Sequence, residues 1–288
     1  MRKRVKERRD KTAAPPGLAV YSAYGVQFIN QTGDEMRAEC PVCQREKFYI
    51  HVENGLCNCK HGCDLRNPID FIRWLWDASC LATGMKDYLP LCNHRSIENP
   101  ETLEQWGLCK SVLTGEWLVP AYTLEWKLQQ LYRYVQNRKR TLLLPMSGLR
   151  HGLFGLGPLY KPAATAHYVC EGLWDGLRFW ELMKKHRKKL FSTSNVYAVP
   201  SCSVFRREWC ALFARGTVNL LYDNDLPKDK SPPAAWEGLK RVAALLKNSP
   251  DPPKKIQYLS WNGNTLDCNY SPELKDGYDL SDLLAPLN

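Results

Sequence analysis

Residues 166–189 read AHYVCEGLWDGLRFWELMKKHRKK, and residues 217–225 read TVNLLYDND. Each stretch opens with an apolar run of strand length, and each run ends on acidic residues. The first continues as a helix in which Leu173, Leu177 and Trp180 recur at i, i+4 and i+7. The pattern extends to both sides. VYAVP (196–200) reads as a strand, VFRREWCALFA (204–214) as a short helix, PPAAWEGLKRVAALLKN (232–248) as a helix opened by prolines, and IQYLS (256–260) as a further strand. Strands alternating with helices predict a parallel sheet wrapped by helices, so an α/β fold is expected over 164–288.

In an open parallel sheet, ligands bind outside the carboxyl ends of the strands. Acidic residues occupy such loop positions here: Glu171 after HYVC, Asp223 and Asp225 after VNLLY, and Asp279 and Asp282 in GYDLSDLL. Asp223 and Asp225 are two apart, so in extended chain they point to one face. Carboxylates brought to one crevice repel each other unless a hard cation lies among them. Mg²⁺ suits that role, with Mn²⁺ as a substitute, because it takes one or two carboxylates and leaves positions for phosphate oxygens. Asp175 reads as an ordinary first-turn acid favoured by the helix dipole. Asp282 reads equally well as a cap or surface acid.

The chain has 288 residues and a formal net charge of +10. Hydrophobic residues make up 44 % and ten are Trp, which excludes a chain too polar to form a core. No apolar run approaches the roughly 18–20 residues that cross a bilayer, so no membrane partner is expected. The basic start, MRKRVKERRDK, is followed by Pro15-Pro16 and by no long apolar stretch, so a secretory leader is not expected and the location is expected to be cytoplasmic.

Five of the twelve cysteines lie between Cys40 and Cys63. Clustered thiols in a reducing compartment point to metal and not to disulfides. Cys40-Pro-Val-Cys43 and Cys59-Lys-His-Gly-Cys63 suit a zinc ribbon whose two turns each present two thiolates; Cys57 and His61 are close enough in sequence to substitute. Such a site is structural, because it supplies folding energy. Cys80, Cys92, Cys109, Cys170, Cys202, Cys210 and Cys268 are scattered and read as small buried hydrophobes.

Five segments follow: a basic N-terminal arm and lead-in (1–39), a zinc-binding module (40–83), a linker carrying Pro90 and Pro100 (84–100), a mixed α+β subdomain (101–163) and the parallel-sheet domain (164–288). The zinc module closes with PIDFIRWLW, where Asn67 suits the N-cap and Pro68 the first helical position. The mixed subdomain holds the strand-like runs WLVPAY, LQQLYRYV and TLLLP. Lys127, Arg133, Arg138, Lys139 and Arg140 form a basic run with no acid among them, the pattern of a phosphate-binding or solvated face. If about five such cations neutralised phosphates of a single strand, log affinity would fall with log salt at a slope of about −3.5. A second run, KKHRKK at 184–189, closes a helix, where the dipole favours cations.

Glu171-Gly172 after a strand, Asp223-x-Asp225 after a later one and a final Asp-rich loop resemble the TOPRIM pattern of primases, topoisomerases, some nucleases and RecR recombination mediators. Cys40-Pro-Val-Cys43, Cys59, Cys63 and Asn67-Pro-Ile-Asp-Phe71 resemble the zinc-binding domain of DnaG-type primases. The combination looks most like the primase half of phage primase–helicases, with looser matches at Trp106-Gly107, Leu131-Tyr132-Arg133 and Leu153-Phe154-Gly155. Departures are a Cys-x-x-x-Cys second pair, and Leu226-Pro227 where a Gly commonly follows Asp-x-Asp. The resemblance implies Mg²⁺-dependent synthesis of short RNA primers on single-stranded DNA from ribonucleoside triphosphates. It places Mg²⁺ on Asp223 and Asp225 with help from Asp279, and makes Glu171 a ligand or the acceptor of the 3′-hydroxyl proton. Lys127, Arg133, Arg138, Lys139 and Arg140 would contact nucleotide phosphates or template. The zinc module would read the initiation site, and Trp74 and Trp76 would stack on bases or pack in the core. No GxxxxGK[ST] loop occurs in these residues, so they hold no motor, and a replicative helicase, carried on the same chain or on another, is the expected partner, in the host cytoplasm if the chain is phage-encoded. The alternatives are a TOPRIM nuclease or topoisomerase and a non-catalytic, zinc-dependent DNA-binding recombination mediator.

Overall fold

A computed structural model describes residues 15–136, 141–228, 231–261 and 270–284, which build three four-stranded sheets. The first is antiparallel and runs in chain order: β1 (Phe28–Thr32), β2 (Glu35–Ala38), β3 (Phe48–His51) and β4 (Cys57–Cys59). Two of its strands thus lie ahead of Cys40, in the stretch expected as a lead-in. The short helix α1 (Ala19–Ala23) joins them by burying Val20 and Tyr21. Helix α2 (Pro68–Ala82) closes the unit. The Asn67 side chain caps it, accepting from the backbone N–H of Ile69 at 2.9 Å and of Asp70 at 3.0 Å. Phe71, Ile72 and Leu75 are its buried face, each worth about 1.5–3 kcal/mol on removal from water.

The stretch expected as a linker is helical: α3 (Met85–Arg95) and α4 (Pro100–Gln105). Pro100 sits at the start of α4, where its missing N–H costs nothing, and Asn99 caps that helix. Pro90 lies inside α3 and removes one helical hydrogen bond, which the burial of Tyr88, Leu91 and Cys92 offsets. Proline alone therefore misreads this segment.

The second sheet is also antiparallel: β5 (Cys109–Lys110), β6 (Trp117–Tyr122), β7 (Leu128–Gln136) and β8 (Thr141–Leu144). It is docked on the first unit. The Tyr24 hydroxyl donates to the Leu131 carbonyl, and Trp76 Nε1 donates to the Gly107 carbonyl at 2.9 Å. Trp76 also meets Tyr122 edge-on, while Trp74 stacks on Phe71, so both indoles pack within the fold.

The third sheet is wholly parallel, in the order β10-β9-β11-β12. Its elements in chain order are β9 (Ala166–Cys170), α5 (Leu173–His186), α6 (Lys188–Ser192), β10 (Ser194–Ala198), a 3-10 helix (Arg207–Phe213), β11 (Thr217–Leu221), α7 (Ala234–Lys247), β12 (Lys255–Tyr258) and α8 (Leu280–Leu284). The chain leaves β9 toward one edge and β11 toward the other, so the strand order reverses between these two neighbours. A bridge between Phe154 and Ala198 joins this sheet to the second, and the Trp106 indole wedges the contact. A Cβ on Gly155 (φ 77°) would meet Val196 O at 2.4 Å, and one on Gly176 would meet the indole at 3.1 Å. The buried Glu181 of α5 ties in α4 by accepting from the N–H of Glu98 and Asn99 and from the Thr102 hydroxyl, all within 2.9 Å.

His167 of β9 is buried, stacked on Tyr197, and its Nδ1 has no hydrogen-bond partner. Burial lowers it to about 4. Its contribution to stability is therefore intact above about pH 6.5, where the unfolded imidazole titrates, and is lost down to about pH 4, at about 1.4 kcal/mol per pH unit. His167→Phe is expected to remove that slope. The check is the difference between the two proteins' urea unfolding free energies from pH 7 to 4.

Candidate metal centres

Cys40 and Cys43 sit on the turn between β2 and β3, and Cys59 and Cys63 on the turn that leaves β4. The Cys40 carbonyl accepts from Gln44 N–H, and the Cys59 carbonyl from Gly62 N–H, which folds both turns tightly. The four sulfurs all lie within 4.8 Å of one another, and Cys43 Sγ is 3.7 Å from Cys59 Sγ. A zinc–sulfur bond of about 2.3 Å gives a tetrahedral edge of about 3.8 Å, so the cluster fits structural zinc. Burial pushes the Cys40 thiol up to about 11. At Cys59 the same effect is outweighed by N–H donors of His61 and Cys63 and by neighbouring thiols, which bring it to about 7. The two substitutes stand apart: neither Cys57 nor His61 belongs to the cluster, and His61 Nδ1 lies 3.2 Å from Arg45 Nη1.

The carboxylates gather where the strand order reverses. Glu171 leaves β9 and its N–H donates to the Leu221 carbonyl at the end of β11, while Asp223 N–H donates back to Glu171 Oε2 at 3.2 Å. Asp225 Oδ2 accepts from Ala235 N–H at the start of α7. Asp279 precedes α8 and exchanges backbone-to-carboxylate bonds with Asp282 (2.8 and 3.2 Å). Asp279 thus caps α8, and Asp282 in its first turn is paired with Lys275 at 2.8 Å.

Asp175 departs from the reading of an ordinary first-turn acid. It is buried, and its Oδ1 accepts from both the N–H (3.0 Å) and the hydroxyl (2.7 Å) of Ser281. It thereby ties α5 to α8 inside the acidic group. The signal for it lies in Gly172: a Cβ there would stand 2.8 Å from Asp175 Oδ2. A glycine at the N-cap with an acid three residues on is what a carboxylate folded back over the helix start requires. Cys202, expected as a small hydrophobe, instead lies beside the acidic group, where burial and the charges of Glu171 and Asp225 push it up to about 11.

Electrostatics couple the members of the group. Burial, then the charges of Glu171, Asp175, Asp279 and Asp225, pushes Asp223 up to about 9. Burial and Asp225 raise Glu171 to about 7, and burial and Asp279 raise Asp175 to about 6. Burial also raises Asp279. None of the ion pairs among the described residues reaches Glu171, Asp175 or Asp223. The carboxylates do not close up as the thiols do. Among the described residues, the four cysteines are the one group of three or more such ligands within 4.8 Å of each other.

The expected basic run is divided. Lys127 is exposed on the turn before β7. Arg133 is held by Glu116 at 3.1 Å and lies 5.7 Å from the Tyr24 ring, so it ties the second sheet to α1. A salt bridge formed across a hairpin is invisible in a local run of cations. Arg138, Lys139 and Arg140, the N-terminal arm through residue 14, and Cys268 lie outside the described residues.

No protein-family model and no curated protein sequence matches the chain. The solved structures similar to it are primase domains of the DnaG type and of phage T7. The zinc-binding and RNA polymerase domains of the Aquifex aeolicus primase match at 15 % identity over 94 % of this chain and 80 % of that one, with a TM-score of 0.47. A DnaG catalytic core matches at 12 % identity over 74 % of each chain, with a TM-score of 0.48. The primase fragment of the bacteriophage T7 primase-helicase protein matches at 15 % over 67 % of this chain and 68 % of that one, with a TM-score of 0.43.

The thiol geometry predicts one zinc per chain. Cys40→Ser and Cys63→Ser should lower the zinc measured by mass spectrometry, and Cys57→Ser and His61→Ala should leave it unchanged. The carboxylate group predicts a gain on neutralisation. Acids raised in the folded state favour folding below about pH 4, where the unfolded acids also hold their protons, and cost stability as pH rises toward about 7–9. Asp223→Asn, without added divalent cation, should therefore stabilise the protein by at least about 1 kcal/mol at pH 8 and by nothing at pH 4, read from denaturant melts.

Proposed function

We propose that this chain is a DNA primase of TOPRIM type, a template-directed nucleotidyltransferase that makes short RNA primers on single-stranded DNA. The observation that carries this reading is the placement of Glu171 and Asp223 on adjacent strand ends at the reversal of strand order, with Asp175, Asp225 and Asp279 around them. A reversal of this kind opens a crevice in which ligands bind. The resemblance of Glu171-Gly172, Asp223-x-Asp225 and the zinc motif to DnaG-type primases supplies the reaction class.

The residues fit Mg²⁺, which needs only one or two protein carboxylates and keeps its remaining positions for water and phosphate, so no closed cage is required. When bound, it offsets charge on the transferring phosphoryl group and orients the triphosphate. Asp223 and Asp225 are the proposed ligands, with Asp279 brought alongside and Mn²⁺ an acceptable substitute. Asp175 is positioned by Ser281 to add negative potential from the helix side. Glu171, raised to about 7, is suited to take the proton of the attacking 3′-hydroxyl, because a base works best with a pKa near the working pH.

The zinc module is proposed to read the initiation site on the template. Lys127, with Arg138, Lys139 and Arg140, is proposed to contact the phosphates of nucleotide or template. A replicative helicase is the proposed motor partner and the host cytoplasm the proposed setting.

The test is primer synthesis from labelled ribonucleoside triphosphates on mixed-sequence single-stranded DNA with Mg²⁺. Wild type should give short products, and Asp223→Ala should lower their yield by about 100-fold or more. Cleavage of the template in place of synthesis would identify a nuclease. Binding without turnover would leave the recombination-mediator reading.

A further inference from the structure

Between the two aspartates of the Asp-x-Asp pair stands Asn224, fully buried and with every polar group engaged by one segment. Its Nδ2 donates to the carbonyls of Ser271 (3.2 Å) and Lys275 (3.3 Å), and its Oδ1 accepts from Ser271 N–H at 2.6 Å. Its backbone N–H donates to the Tyr278 carbonyl at 2.8 Å, and its carbonyl accepts from Gly277 N–H at 2.9 Å. The residue after Tyr278 is Asp279. We propose that Asn224 is a positioning residue that seats the 271–279 segment, and through it Asp279, at the carboxylate site. The inference rests on the metal-site reading above and adds the residue that assembles the site from two distant parts of the chain.

The alternation of extended chain explains why one tripeptide can serve two purposes. Side chains at 223 and 225 project to one side and the side chain at 224 to the other. Asp223 and Asp225 thus turn toward the acidic group, while Asn224 turns toward residues 271–278. The residue at this position needs a donor and an acceptor together, because it must satisfy two carbonyls and one N–H in a buried place. Aspartate would forfeit both donated bonds and bury a further charge beside five carboxylates. Neighbouring contacts reinforce the clasp: Leu226 N–H donates to Asp276 Oδ1 at 2.8 Å, and Lys228 pairs with Asp276 at 3.2 Å. Gly277 takes a φ of 70°, which turns the segment so that its N–H meets the Asn224 carbonyl.

A residue that acts only by seating Asp279 makes a non-additive prediction. The probe is Mn²⁺, titrated into the zinc-loaded chain and followed by its paramagnetic signal. Asn224→Ala should weaken Mn²⁺ binding by about tenfold, the lower end of what losing a supporting residue costs a metal site. The same substitution in an Asp279→Asn background should produce no further weakening. Hydrogen exchange should speed up across 271–279 and remain unchanged in β9. Asn224→Ser, which keeps a small side-chain donor and acceptor in the buried position, serves as the second variant should Asn224→Ala not fold.

Equal weakening in both backgrounds would overturn the proposal, since Asn224 would then act by another route. So would unchanged Mn²⁺ affinity alongside faster exchange in 271–279. A wild type that binds no Mn²⁺ would instead remove the metal reading and the proposal with it. Exchange at 271–279 would still tell that failure apart from a failure of the clasp.

Discussion

The adjacency of β9 and β11 is the constraint on which the rest of the molecule depends. Five paired residues, from Thr217 against Ala166 to Leu221 against Cys170, bring two strands separated by more than forty residues into register. Register fixes which residues leave the sheet together, and here Glu171 and Asp223 leave together. Carboxylates buried side by side are costly: each is denied water, and each raises the energy of the others' charges. The sheet tolerates this because backbone N–H groups are aimed at them, from Asp223 to Glu171, from Ala235 to Asp225 and from Ser281 to Asp175. The site is therefore electrostatically strained yet held in place by backbone hydrogen bonds.

The remaining architecture fixes that sheet in position. Helix α5 starts at the acidic group and is gripped along its length: Trp106 fits against Gly176, and Glu181 anchors the start of α4. Through Trp106 and the bridge from Phe154 to Ala198, the second sheet is joined to the third. Through Tyr24 and Arg133, the zinc-bearing unit is joined to the second. Each joint couples a buried aromatic with hydrogen bonds to backbone or side chain, so the contact gains both dispersion and direction.

How much of this was legible in the sequence depends on the range of the interaction. The α/β alternation could be read because strand and helix periods are local, and the Asn67 cap because its partners are two and three residues away. The four thiols could be read from spacing, although the choice between Cys59 and Cys57 needed the turn geometry. Strand β1 could not, since four of its five residues are exposed and carry no alternation. Helix α3 was hidden by Pro90, whose local penalty is outweighed by tertiary burial. Asp175 was hidden because a helix dipole explains an acid at that position without any partner; the partner, Ser281, lies 106 residues away. The Glu116 partner of Arg133 was hidden for the same reason, since it lies on the facing strand's approach.

The two clusters show opposite uses of burial. Four thiols closing to a tetrahedral edge leave a cation no open position, so such a site adds its binding energy to that of a small unit whose core holds Tyr21, Phe48, Ile50 and Phe71. Carboxylates that do not close up in this way leave positions open, and their mutual repulsion is met by proton uptake, which is why Glu171 and Asp223 are raised. The thiols come together closely enough to enclose an ion; the carboxylates are held by backbone hydrogen bonds, and their crowding costs stability as pH rises toward about 7–9.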